Sequence, residues 1–130
     1  MLLTCDVGNT SIKLVVYKGN ERVAYYRLYN DIHLDFEEEI FDFLNKENIM
    51  IEDIEDSIVS SVVPAITELL CNGIENVIGK KAIVIDGHNF YGIKLSEDVQ
   101  EEVGSDLLVM SAYAYQRYKK ELIVVSLGTA

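Results

Sequence analysis

This chain of 130 residues is short of cations, long apolar runs, cysteine and proline, and each shortage excludes something. The 11 Lys and Arg stand against 22 Asp and Glu, a formal net charge of −11. That charge repels a phosphate backbone over the whole surface, so nucleic acid is not an expected partner. The longest apolar runs, such as Leu14-Val15-Val16-Tyr17 and Leu122-Ile123-Val124-Val125, are four residues, far below the roughly 20 that span a bilayer. No membrane partner is expected. The N-terminus Met1-Leu2-Leu3-Thr4-Cys5-Asp6 lacks a basic flank and reaches an acid at once, which fits neither a secretory signal nor a transit peptide. Only Cys5 and Cys71 are present, with no CxxC or Cys/His spacing, which points to reduced thiols in a cytoplasmic protein rather than disulfides or zinc. Pro64 is the single proline, and no Pro-rich, Ser-rich or low-complexity linker divides the chain.

What remains is 49% apolar, in a chain long enough for one domain that buries roughly two-thirds of its unfolded surface. Residues 2–7, 11–17 and 22–29 read as three strands of an antiparallel meander, separated by the turn segments Gly8-Asn9-Thr10 and Lys18-Gly19-Asn20-Glu21. Asp35, with Glu38 three residues on, resembles a capping box. Phe36, Ile40, Phe43 and Leu44 then share one helical face, and this helix is expected to run to about Glu47. The β-branched run 57–63 reads as a strand, and Pro64 opens a helix with Ile66, Leu69, Leu70 and Ile74 on its apolar face. Residues 82–85 form a short strand, and an irregular stretch runs through Glu102. Gly104-Ser105 offers a cap for a helix bearing Leu108, Ser111, Ala112 and Tyr115, and 122–125 reads as a buried strand.

The first turn is chemically suggestive. In Asp6-Val7-Gly8-Asn9-Thr10-Ser11, glycine lets the backbone approach a phosphate, while Asn9, Thr10 and the loop amides can donate to it. Asp6 can hold Mg²⁺, and Lys13 adds a positive charge. A plain hairpin is the competing reading, since Gly-Asn is a favoured turn. A second strand-then-Gly-Thr element, Ser126-Leu127-Gly128-Thr129-Ala130, favours phosphate binding, because a phosphate chain gripped from two sides needs two such loops. Asp106 has two readings as well: the first-turn acid of an ordinary helix, or a carboxylate that orients a substrate hydroxyl and takes its proton. His33 and His88 are isolated and read as loop residues. Cys71 reads as core, and Tyr113, Tyr115 and Tyr118 as lining a helix or an interface.

Four motifs in register, Asp6-Val7-Gly8-Asn9-Thr10, Ser60-Ser61-Val62-Val63-Pro64, Glu102-Val103-Gly104-Ser105-Asp106 and Val124-Val125-Ser126-Leu127-Gly128-Thr129-Ala130, resemble the N-terminal half of type III pantothenate kinases. The resemblance implies an α/β, ribonuclease H-like mixed sheet, antiparallel in its first three strands and then parallel, flanked by helices. The fold is that of the sugar kinase, actin and heat-shock ATPase superfamily, and on this reading residues 1–130 are the N-terminal domain of a kinase whose C-terminal half lies outside the chain. The implied reaction is ATP-dependent phosphorylation of pantothenate to 4'-phosphopantothenate, the first step of coenzyme A synthesis. It would use Mg²⁺ and a monovalent cation, K⁺ or NH4⁺, in a cytoplasmic homodimer. By position, Asp6, Val7, Gly8, Asn9, Thr10, Ser11, Lys13 and Thr129 fall to the nucleotide, with Asp6 also at the Mg²⁺. Gly104, Ser105, Asp106 and Leu107 fall to the substrate, Asp106 is the general base, and Ser126 occupies the monovalent-cation position.

Three positions depart from the family pattern. Leu107 stands where an arginine is usual, removing a charge-assisted contact typically worth about 1.5–3 kcal/mol. Ser126 stands where an aspartate is usual, and Glu97 aligns with a tyrosine. They keep a second reading open, a non-catalytic homologue that binds a nucleotide or a partner chain, and a third, a domain that binds neither.

Overall fold

The computed structural model describes residues 1–88, 93–99 and 103–127. Three strands open the chain, β1 (Leu2–Val7), β2 (Ser11–Lys18) and β3 (Glu21–Tyr29), followed by helix α1 (Phe36–Lys46). Strand β4 (Asp56–Ser61), helix α2 (Pro64–Ile78), strand β5 (Ile83–Ile85) and helix α3 (Ser105–Tyr118) complete the regular elements, with short 3-10 turns at Ile51–Asp53 and Glu97–Val99. The five strands form one sheet in the order β3-β2-β1-β4-β5. β1 and β2 pair antiparallel, as do β2 and β3, whereas β4 and β5 add in parallel. This is the ribonuclease H-like mixed sheet expected.

Period-two alternation makes β1 two-faced. Leu3, Cys5 and Val7 are buried on one side with Ile12, Leu14 and Val16 of β2, while Thr4, Asp6, Lys13 and Val15 lie half-buried on the other. Helices α1 and α2 close the first face. Asp35 caps α1, its Oδ1 accepting from the Glu37 and Glu38 N–H groups at 3.1 and 3.2 Å, and three glutamates in the first turn suit the helix dipole. Phe36, Ile40, Phe43 and Leu44 are buried as their spacing requires, and Phe43 stacks on Tyr26 of β3 with ring centroids 5.5 Å apart. α2 begins at Pro64, where a missing N–H costs nothing, and it packs closely on α1. A Cβ on Gly73 would lie 2.9 Å from the Phe36 carbonyl carbon, so glycine there sets the approach of the two helices.

Some expectations fail for identifiable reasons. The strand expected over 57–63 ends at Ser61, because the Ser61 hydroxyl accepts from the Val63 N–H and turns the chain into α2. Leu69 and Tyr115, expected on apolar helix faces, are exposed. The buried stripe of α2 narrows to Ile66, Leu70, Gly73 and Ile74, and that of α3 to Ser105, Leu108 and Ala112. The buried strand expected over 122–125 is not formed. Residues 121–127 carry no regular structure, and Ile123 and Leu127 are 92% and 94% exposed. A strand needs a neighbour to satisfy its backbone and a face to cover its side chains, and among the described residues this segment pairs with no strand of the sheet.

Candidate functional site

The parallel strands β1, β4 and β5 bring their carboxyl ends to one edge of the sheet, the place where open α/β sheets bind ligands. There β1 delivers Asp6 and Val7 and passes into Gly8, Asn9 and Thr10. This turn is closed by the Gly8 N–H donating to the Ser11 carbonyl at 3.1 Å. Asn9 and Thr10 are exposed, and among the described residues their N–H groups donate to no protein acceptor. Successive unpaired N–H groups in a turn can gather an anion. The side chains of Val7 and Ser11 are buried, so these two residues offer the site only backbone.

Asp6 and Lys13 are cross-strand partners in register, with Lys13 Nζ 2.7 Å from Asp6 Oδ2 and the two side chains 44% and 47% exposed. At that exposure the pair is worth at most about 1 kcal/mol and exchanges readily: the lysine can turn to a phosphate and the carboxylate to a cation. Asp6 suits Mg²⁺, a hard cation that takes one or two carboxylates and fills its other positions with water and phosphate oxygens. Among the described residues no three His, Cys, Asp or Glu cluster as a ready-made metal cage. Ser126, at the monovalent-cation position, is a neutral hydroxyl on an exposed irregular segment. Thr129 lies outside the described residues.

Helix α3 reaches this edge through two serines that sequence inspection missed as a pair. Ser60 Oγ donates to Ser105 Oγ at 3.1 Å, and Ser105 Oγ donates to the Ser61 carbonyl at 2.9 Å. Because Ser60 lies opposite Asp6 in the β1–β4 register, this tether sets the first turn of α3 beside the strand that carries the loop. The Ser105 side chain is 5% exposed and committed to these bonds, leaving Asp106 and Leu107 as the exposed residues of that turn. Gly104 makes room for the carboxylate, since a Cβ there would lie 2.6 Å from Asp106 Oδ1. The loop has a second unforeseen contact in Asn30, whose side-chain amide donates to the Gly8 carbonyl at 2.5 Å.

A groove of about 490 Å³ between α1 and α2 is unsuited to phosphate. Asp35, Glu37 and Glu38 rim it, and Phe41 and Val77 supply apolar lining. Carboxylates repel phosphate, whereas the strand-end site offers free N–H groups and an exchangeable lysine.

Unpaired loop amides, a carboxylate and lysine on the adjoining strands, and a second carboxylate in the first turn of α3 are residue types that phosphoryl transfer can use. Residues 2–130 match the family model described as type III pantothenate kinase. On that match across the chain, in a sheet of the corresponding topology, the protein belongs to the type III pantothenate kinase family.

Proposed function

We propose that this chain supplies the nucleotide-loop lobe of an ATP-dependent pantothenate kinase, working with a second lobe that completes the cleft. The observation that carries this reading is the convergence of the Gly8–Thr10 turn and Asp106 at one sheet edge, held by the Ser60–Ser105 tether. Loop N–H groups and Lys13 would hold the phosphate chain of ATP. Asp106 would accept the proton of the pantothenate hydroxyl as its oxygen attacks the γ-phosphorus. The new O–P bond forms as the bond to the β-phosphate oxygen breaks, and the products are 4'-phosphopantothenate and ADP. Mg²⁺ held by Asp6 would offset charge on the phosphate oxygens. A monovalent cation, K⁺ or NH4⁺, would meet at Ser126 a neutral hydroxyl in place of a carboxylate, and no step is assigned to it.

The test is ADP formation that depends on pantothenate, measured on the protein in its natural reading frame. Asp106→Asn should lower it by about 10²–10⁴-fold and leave nucleotide binding nearly unchanged, and no turnover by the unsubstituted protein overturns the enzyme reading. A specific observation favours the second reading, a non-catalytic homologue: Leu107 is 40% exposed and apolar at a substrate-side position. Calorimetric titration with Mg²⁺-ATP and then pantothenate separates the two, since nucleotide binding without pantothenate binding supports the non-catalytic homologue. A cytoplasmic homodimer is part of the proposal, supported by the resemblance and by the exposed Tyr113, Tyr115 and Tyr118 on α3.

A further inference from the structure

Asn30 follows the last residue of β3 and holds the phosphate loop twice. Its backbone N–H donates to the Thr10 carbonyl at 3.1 Å, and its side-chain Nδ2 donates to the Gly8 carbonyl at 2.5 Å. The two carbonyls bracket Asn9. A trans peptide group is planar, with its C=O and the next residue's N–H pointing in opposite directions. No peptide bond among the described residues is cis. Turning the Gly8 C=O toward Asn30 therefore turns the Asn9 N–H away from it, out of the hairpin, where it meets no protein acceptor. The same bond withdraws a carbonyl oxygen, which would repel an anion, from the loop's outer surface. The other half of the amide, Oδ1, is buried without a partner, so the side-chain bond to Gly8 is the interaction that accounts for an amide at this position.

From this geometry we infer that Asn30 is the positioning residue of the phosphate loop, aiming the Asn9 N–H at a phosphate oxygen of the nucleotide; the inference rests on the phosphate-loop reading above. Asn30 does not touch the ligand and acts through the Gly8–Asn9 peptide plane. Isosteric Asn30→Asp tests it, because it replaces the donor with a carboxylate oxygen that repels the Gly8 carbonyl, while Asn30→Ala removes the side chain.

The probe is tripolyphosphate with Mg²⁺, titrated by calorimetry and by amide NMR of the whole chain. The unsubstituted chain should bind and shift its Asn9 amide resonance. Asn30→Asp should lose about tenfold or more in affinity, the worth of a charge-assisted hydrogen bond, together with the Asn9 shift, with the affinity referred to the folded fraction at a temperature well below the variant's unfolding midpoint. Affinity and an Asn9 shift equal to those of the unsubstituted chain in both Asn30→Asp and Asn30→Ala overturn the inference. So does a loss of affinity that only parallels a general loss of folded protein. Absence of tripolyphosphate binding by the unsubstituted chain overturns the phosphate-loop reading itself, and this inference with it.

Discussion

Cys5 and Asp6 are consecutive residues of β1 in opposite chemistries. Cys5 is 3% exposed under α1 and α2, and burial, reinforced by the charge of Cys71, pushes its thiol far above the ordinary range. Asp6 faces the other side, half-exposed and paired with Lys13. The same division runs through β4, where Val59 is buried in the core and Ser60 reaches α3. One face of the sheet is closed by two helices and supplies stability. The other is left partly open and presents polar groups at the ends of the parallel strands. A strand lets the two demands coexist at adjacent positions because its side chains alternate.

Substitutions on the two faces should therefore separate activity from stability. The largest effect is expected on the open face: Asp106→Asn should cost about 10²–10⁴-fold in pantothenate-dependent turnover with little change in unfolding midpoint, as steady-state assay and thermal melting would show. A melt that collapses along with activity would erase the division between faces. On the closed face, Ile40→Ala should destabilise by about 2–5 kcal/mol in urea unfolding, since Ile40 is fully buried, while tripolyphosphate affinity of the folded fraction stays the same. Gly73→Ala should cost less, about 1–3 kcal/mol, because the added methyl meets the Phe36 backbone and the helices must shift by tenths of an ångström.

The smallest effect is alkaline. The folded Cys5 thiol stays neutral where the unfolded one ionises, near about pH 8.5, so Cys5 should lower stability above that pH by at most about 1.4 kcal/mol per unit and contribute nothing to the slope below it, while Cys71 and Tyr26, also shifted upward, add to the alkaline loss. Urea midpoints at neutral and alkaline pH would measure the slope. Cys5→Ala should reduce it, and an unchanged slope would mean that Cys5 is not closed off from water.

The meander, α1 and the start of α2 were legible because their signals are local: alternation, a cap, a 3.6-residue stripe and a proline at a first turn. Asp6, Gly8–Thr10 and Asp106 were legible as residue types suited to phosphate chemistry. What could not be read is whatever depends on residues meeting across the fold. Ser60 and Ser105 are 45 positions apart, and only the docking of α3 on β4 makes them a pair. Asn30 looks like an ordinary turn residue after a strand, and only the β2–β3 register returns it to Gly8. Residues 122–125 carry the composition of a buried strand, but burial is supplied by neighbours, and no strand among the described residues pairs with them.

By itself the sequence determined the order of the elements from β1 through α2, the buried face of α1, and the chemistry available at the turn and at Asp106, because each follows from nearest-neighbour geometry. The tertiary structure alone decided that β4 takes the place beside β1 with Ser60 opposite Asp6, that α3 is tied to that strand end by two hydroxyls, and that one asparagine orients the loop's peptide plane. Those outcomes depend on hydrogen bonds and packing between segments far apart in the chain, which local spacing does not encode.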